Sequence, residues 1–235
     1  VYKTHILGRP TVRVVGAHNI RKVIMGENTL VTSFWPASVR LVLGTQNISM
    51  STGERHQYLR KKASRLFSHH ALSSYAPLMQ TTVRDHVGRW SKDQVVKGME
   101  ESRLLTFSVA CRVLLGLHDV GLSEMKSLLD VFETLMDSLF SLPVNVPGLG
   151  LSKGLWARKI LMEKIAELIH AKEKLAAEMT PSQPDALLLM MQLSQEQRLS
   201  HEDLKELCLE LLFTGHVSLA STSTSLLYLL ARNNR

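Results

Sequence analysis

Cysteine is nearly absent from this chain. Cys111 and Cys208 stand far apart, each inside a helical pattern and neither with a second metal-ligating side chain at ligand spacing. That excludes a disulfide framework and a cysteine-built metal centre. It leaves two small buried hydrophobes in a reducing compartment. Aromatics are also scarce, at 6% of residues, and none alternate with basic side chains as base-stacking platforms do. The net charge of +7 is therefore a mild basic bias. It suits a lipid surface, an acidic redox protein or a carboxylate ligand, and a nucleic-acid partner is not expected. The sequence also has no initial Met, no signal peptide and no hydrophobic anchor. Arg232-Asn-Asn-Arg235 closes it directly behind an apolar run. Both ends look cut, and the chain reads as an N-terminal and central fragment.

What is present is helix. The apolar content of 45% is that of a globular protein. Tyr2 to Leu7 and Thr11 to Val15 are β-rich runs around Gly8-Arg9-Pro10, which reads as a hairpin. Ala17 to Gly26 has Ile20, Val23 and Ile24 on one helical face. Glu27 to Gly53 is irregular apart from a short helix around Ser38 to Leu43, and connections of this length are usually functional or disordered. Beyond it, three- and four-residue apolar spacing predicts helices over 54–67, 71–91, 100–116, 122–140, 153–179, 185–196 and 200–231. Leu142 to Gly150 is a loop, yet an apolar one, which is unusual because loops face water. Thr180 to Pro184 is a polar linker, and no internal repeat points to a solenoid. The fold class expected is mainly α with a small N-terminal β hairpin.

Two helices carry chemistry. On the first, Glu54 to His70, the residues Leu59, Ala63, Leu66, Phe67 and His70 share one face. Arg55, Lys61, Lys62 and Arg65 lie away from it as a solvated charge run. His56 falls within the apolar face and Arg60 on its edge. A buried guanidinium is costly unless an anion pairs with it. Either a carboxylate elsewhere in the chain or water takes Arg60, or His56 and Arg60 grip an anionic ligand from adjacent turns.

The last helix is uncharged from Leu211 to Ala231 and has seven hydroxyl residues and Gly215 in its middle. It has the length of a membrane span but is too rich in hydroxyls. Gly215 costs about 1 kcal/mol against Ala in a helix interior. It implies close approach of a neighbour or a local widening. Ser218 is placed to donate to a ligand or back to its own helix.

Taken together, these two helices resemble the haem-thiolate monooxygenases, the cytochrome P-450 superfamily. His56-Gln-Tyr-Leu-Arg60 is similar to the family's aromatic-or-His, three residues, Arg motif, whose ends contact a haem propionate. Thr214-Gly-His-Val-Ser218 is similar to its small-Gly-x-acid-Thr oxygen groove. Thr4 to Pro10, Phe34-Trp-Pro36 before Leu43-Gly44, Phe67-Ser-His69, Phe140-Ser-Leu-Pro143, and Leu211-Leu-Phe213 with Ala220-Ser221 look like the retinoic-acid hydroxylase branch. That likeness covers essentially all 235 residues.

The resemblance implies a haem cofactor and ring oxidation of all-trans-retinoic acid, with electrons from an NADPH-cytochrome reductase. The implied location is the cytosolic face of the endoplasmic reticulum membrane, through an upstream anchor that the chain lacks. It gives His56 and Arg60 to the cofactor and Gly215 and Ser218 to catalysis. Trp35, Gly148, Phe213 and Ser218 go to the substrate, together with the apolar loop around Val146 to Leu149, and Arg40 is within the range of options for the retinoid carboxylate. It divides the chain into a hairpin (1–16), a helix with a substrate-recognition loop (17–53), a helical body (54–199) and the oxygen-groove helix (200–231).

Three departures stand out. Val217 occupies the position of the acid, and Gly148 that of a pocket Phe. The family's Glu-x-x-Arg motif and its iron-ligating Cys loop do not occur. Neither Cys111 nor Cys208 has the latter context, and no metal ligand is assigned. The expectation is that this polypeptide alone neither holds haem nor turns over substrate, and that its unpaired apolar faces aggregate. On composition and period alone, a non-enzymatic helical module for an apolar carboxylate or a partner helix fits as well. A membrane-surface protein using the basic helix at 55–65 is a further alternative.

Overall fold

The computed structural model describes residues 1–6, 8–27, 29–90, 95–178, 185–197 and 200–233, without the side chains of 175–178 and 193–197. Contacts divide the chain into two units, Val1–Trp35 and Pro36–Arg235. The division falls inside the segment 17–53.

The first unit opens with the antiparallel pair β1 (Tyr2–Ile6) and β2 (Arg9–Arg13). Thr4 faces Thr11 and Ile6 faces Arg9. The turn is therefore tighter than the pattern predicts. Arg9 and Pro10 belong to the second strand, and Gly8 turns the chain at φ +75°. Leu7 lies outside the described residues. Pro10 is tolerated because both strands of a two-stranded pair are edges. Helix α1 (Ala17–Met25) ends at Gly26, whose N–H donates to the Lys22 carbonyl at 3.0 Å. Its predicted apolar face forms, but within this unit Ile20, Val23 and Ile24 stay exposed. The Arg9 guanidinium lies over the Phe34 ring, 5.5 Å from its centroid.

The second unit is helical. It comprises α2 (Ala37–Leu43), α3 (Gly53–Leu66), α4 (His69–Val87), α5 (Gly98–Leu115), α6 (Leu122–Asp137), α7 (Gly150–Glu178), α8 (Ala186–Gln197) and α9 (His201–Arg232). Helix α5 is buried nearly all round by Leu104, Phe107, Ala110, Cys111 and Val113, as a central helix must be. It packs along α9 and against α4, while α6 packs on α7. Gly116, at φ +68°, ends α5 in the left-handed conformation that favours glycine. The predicted spans hold to within a few residues. Helix α4 stops at Val87, short of the predicted 91, a position outside the described residues, and α6 stops at Asp137 rather than 140. There the Ser138 hydroxyl donates to the Thr134 carbonyl at 2.7 Å and the chain turns through Leu139 and Phe140. Position 179 and the linker 180–184 lie outside the described residues.

The irregular stretch before α3 is fixed by acids on α9, which the sequence reading did not single out. Glu210 accepts the backbone N–H groups of Ile48 at 2.8 Å and Ser49 at 2.7 Å. One turn earlier, Glu206 pairs with Arg158 of α7, and Arg158 donates to the Val42 carbonyl at 3.3 Å. Asp203 pairs with Arg55 of α3 at 2.6 Å and also completes a capping box with Ser200. Three carboxylates at helical spacing thus tie α2, α3, α7 and the 45–52 connection to one helix.

Candidate functional site

Helix α9 changes character half-way. Its first half, including Leu204, Leu207, Cys208, Leu209 and Leu212, is fully packed, whereas Leu226, Tyr228, Leu229 and Leu230 near its end are exposed. Gly215 sits at the change. A cavity of about 290 Å³ opens against Leu211, Gly215 and Leu219 of α9, Leu66 and Phe67 at the end of α3, and Tyr75 of α4. A methyl group built on Gly215 would meet no heavy atom within 4 Å. The glycine therefore widens a space; no neighbouring chain presses on it.

The residue beside it points the other way. His216 is buried, with its ring edge-on to both Phe107 and Phe132 at 5.5 Å between centroids. The Thr106 hydroxyl donates to the Ser102 carbonyl at 2.8 Å. Its oxygen is therefore left to accept from His216 Nδ1, 3.1 Å away. Burial, helped by the Arg103 charge, lowers the His216 pKa to about 4, so the imidazole is neutral. His216 is a core histidine that fixes the rotation of α9 and so aims Gly215 at the cavity. A buried His between an exposed Val217 and a Gly has no distinctive pattern in sequence. Only its aromatic neighbours on α5 and α6 reveal its role.

Most hydroxyls of α9 bond to the preceding turn. Thr214 donates to the Glu210 carbonyl, Thr222 to Ser218, Thr224 to Ala220 and Ser225 to Ser221, all at 2.8 to 3.0 Å. Ser218 is exposed and has no such bond among the described residues. Its hydroxyl is available to a ligand.

On α3, His56 is half-buried and Arg60 exposed, and neither has an ion-pair partner among the described residues. Arg60, placed on the edge of the apolar face, is exposed, and one expectation for this helix needs correction. Lys62, placed in the solvated run, is 6% exposed with its ammonium 4.8 Å from the centroid of the Tyr58 ring. The butyl stem of Lys62 packs inward and the aromatic face receives its charge.

The structure brings Gly215 together with the end of α3, through Leu66 and Phe67. His56 and Arg60 lie earlier on the same helix and do not line the cavity. Phe213 is half-buried on α9, and Gly148 is exposed at φ +84° in the loop before α7. The apolar side chains of that loop, Leu142 and Val144 among them, are exposed. Trp35 is partly exposed and belongs to the first unit.

The family model for Cytochrome P450 matches residues 1–235, the whole chain. The chain belongs to the cytochrome P450 family. Human Cytochrome P450 26B1 is 39% identical over 236 residues, covering 99% of this chain and 46% of that protein. Mouse Cytochrome P450 26C1 is 41% identical, covering 99% and 45%. This chain thus spans about half the length of the curated relatives it matches. A solved P450 structure, retinoic acid bound cyanobacterial CYP120A1, superposes with a TM-score of 0.85 at 29% identity, over 98% of this chain and 52% of that one. The helices and the N-terminal hairpin are those of the P450 fold.

P450 proteins carry haem, and the residues here suit part of that group. His56 and Arg60 offer a hydrogen-bonding ring and a cation on adjacent turns, with no ion-pair partner among the described residues. That matches the acid edge of a porphyrin. Gly215 leaves one face of α9 open. The iron ligand has no counterpart: Cys111 and Cys208 are fully buried, and burial pushes both thiols up, Cys208 to about 12. A thiol held protonated is a poor ligand.

Proposed function

We propose that the protein is a haem-dependent monooxygenase that hydroxylates all-trans-retinoic acid at its ring. The observation that carries the reading is the match of nearly the whole chain to a P450 structure with retinoic acid bound, alongside relatives 26B1 and 26C1 at about two-fifths identity. Bound haem would supply the oxygen chemistry: one atom of O₂ enters a ring C–H bond and the other leaves as water, with two electrons and two protons consumed. The electrons come from an NADPH-cytochrome reductase, and haem is held only together with a thiolate-bearing C-terminal half.

This chain's own residues position and protonate. Arg60 and His56 neutralise the acid groups of the cofactor. Gly215 keeps space beside α9 for a diatomic molecule, and the unengaged Ser218 hydroxyl donates a hydrogen bond there. The Val217 side chain has no ionisable proton, so protons reach Ser218 through water, for which its exposure provides a path. Phe213 and Gly148 contribute to the retinoid pocket, with glycine at 148 leaving room at one end. The protein works at the cytosolic face of the endoplasmic reticulum. No helix among the described residues is long and apolar enough to cross a membrane.

The test is turnover. The product of the complete reading frame, reconstituted with haem and NADPH-cytochrome reductase, is incubated with all-trans-retinoic acid. Ring-hydroxylated product is expected. An intact thiolate-type ferrous-CO band with no conversion of retinoic acid would sink the substrate assignment while leaving the haem enzyme standing.

A further inference from the structure

The corner between α3 and α4 has a feature that the monooxygenase reading does not use. Ser68 is exposed and lies outside both helices, with φ −62° and ψ 153°, an extended backbone. Arg65 precedes it by three residues, in Arg65-Leu-Phe-Ser68, and Arg60-Lys-Lys stands further upstream. We propose that Ser68 is a phosphorylation site for a basophilic serine/threonine kinase, one that reads an arginine three residues before its target.

Kinases grip their substrates in extended form, and this corner is already half-way there. Ser68 N–H reaches the Arg65 carbonyl only at 3.3 Å, Phe67 N–H reaches Ser64 at 3.2 Å, and Phe67 itself is half exposed. Ser64 has basic residues before it too. It sits within α3, however, and donates to the Lys61 carbonyl at 2.8 Å, whereas Ser68 lies beyond the helix end, so presenting Ser64 would unwind an additional turn that holds buried Ala63 and Leu59. In the transfer, the kinase's base takes the Ser68 hydroxyl proton as the Oγ–P bond forms. The bond from the γ-phosphorus to the bridging oxygen of ATP breaks, and ADP leaves.

The product is well accommodated. Ser68 Oγ already accepts the Ala71 N–H at 3.3 Å as the cap of the 19-residue helix α4. That helix begins His69-His70 and has no acid in its first turn. A phosphate there gains backbone donors and the helix dipole, with no acid in that turn. Because α3 holds Arg60 and its end lines the Gly215 cavity, added charge at this corner acts on the elements that frame the candidate site.

The experiment uses the full chain, ATP labelled at the γ-phosphate and the catalytic domain of a calmodulin-dependent protein kinase, with phosphopeptide mapping as readout. One phosphate per chain is expected at Ser68, with Ser64→Ala unchanged. Arg65→Gln should lower kcat/KM for phosphorylation at least tenfold, and Ser68→Thr, which keeps the cap, should yield phosphothreonine at the same position. Phosphate at Ser64 or elsewhere instead, no incorporation into the folded chain, or indifference to Arg65→Gln would each overturn the proposal. None of these outcomes depends on haem or on the substrate assigned above.

Discussion

His216 Nδ1 lies 3.1 Å from the Thr106 hydroxyl, and this pair sets the rotation of α9 against α5. The same rotation that buries His216 between Phe107 and Phe132 presents Gly215 to the cavity, which Thr106 also lines. Replacing His216 by Ala removes a buried ring and two edge contacts, a loss of about 2–4 kcal/mol by analogy with large-to-small core changes. Urea denaturation of wild type and His216→Ala measures it.

Acid should unfold the protein through its histidines before its carboxylates. Burial holds His216 and His86 down to about 4 from an ordinary value of 6.5. Both are neutral in the native state, whereas the unfolded chain protonates them below pH 6.5. The unfolded state thus binds more protons in this window, and stability falls as pH drops from 6.5 towards 4. Urea midpoints recorded across that range should decline, and His216→Gln should decline less steeply. Asp185 adds a later loss. Burial works to raise it, but the His118 ring 3.9 Å away and hydrogen bonds from Lys172 and the Leu188 N–H outweigh this and hold it below 3.8. Its contribution is present above that value and disappears at still lower pH.

Glu210 should govern the order of the 45–52 connection. Glu210→Ala leaves the Ile48 and Ser49 N–H groups without their charged acceptor, costing about 3 kcal/mol on the scale of hydrogen bonds to ionised groups. Hydrogen exchange at those two amides should accelerate at least tenfold, while amides in the middle of α5 follow only the global change in stability.

Gly44→Ala should be among the most damaging single-methyl additions. Gly44 has φ +93°, and a Cβ there would stand 2.0 Å from Glu206 Oε2. The substitution must therefore strain the backbone and displace the carboxylate that pairs with Arg158. A loss of about 2 kcal/mol or more is expected, seen as a lower Tm. Gly8→Ala, with φ +75° but open space, should cost less.

The helical framework was legible because three- and four-residue spacing reports burial directly. The resemblance anticipated the family from two short motifs and the scattered identities around them. The ties between elements were not legible. Glu206 and Glu210 look like ordinary polar positions of an amphipathic helix, and nothing local shows that their partners lie some 50 and 160 residues away. Lys62 was misplaced for a related reason: periodicity assigns a long stem by its charge, while the stem packs by its methylenes. His216 was not legible because nothing adjacent to it in sequence marks the aromatic pair on α5 and α6 that encloses it. The spatial relation of His56 and Arg60 to a cofactor depends on the cofactor's own position, which no spacing rule conveys.

The central claim is that His56 and Arg60 hold the acid edge of a haem. Its most direct measurement is haem content per polypeptide in the purified product of the complete reading frame. The comparison is wild type, His56→Ala with Arg60→Ala, and Lys61→Ala as an exposed cation from the same helix. Haem content should fall at least tenfold in the double variant, with unchanged helicity, and stay at the wild-type level in Lys61→Ala. Equal haem content in all three would contradict the account.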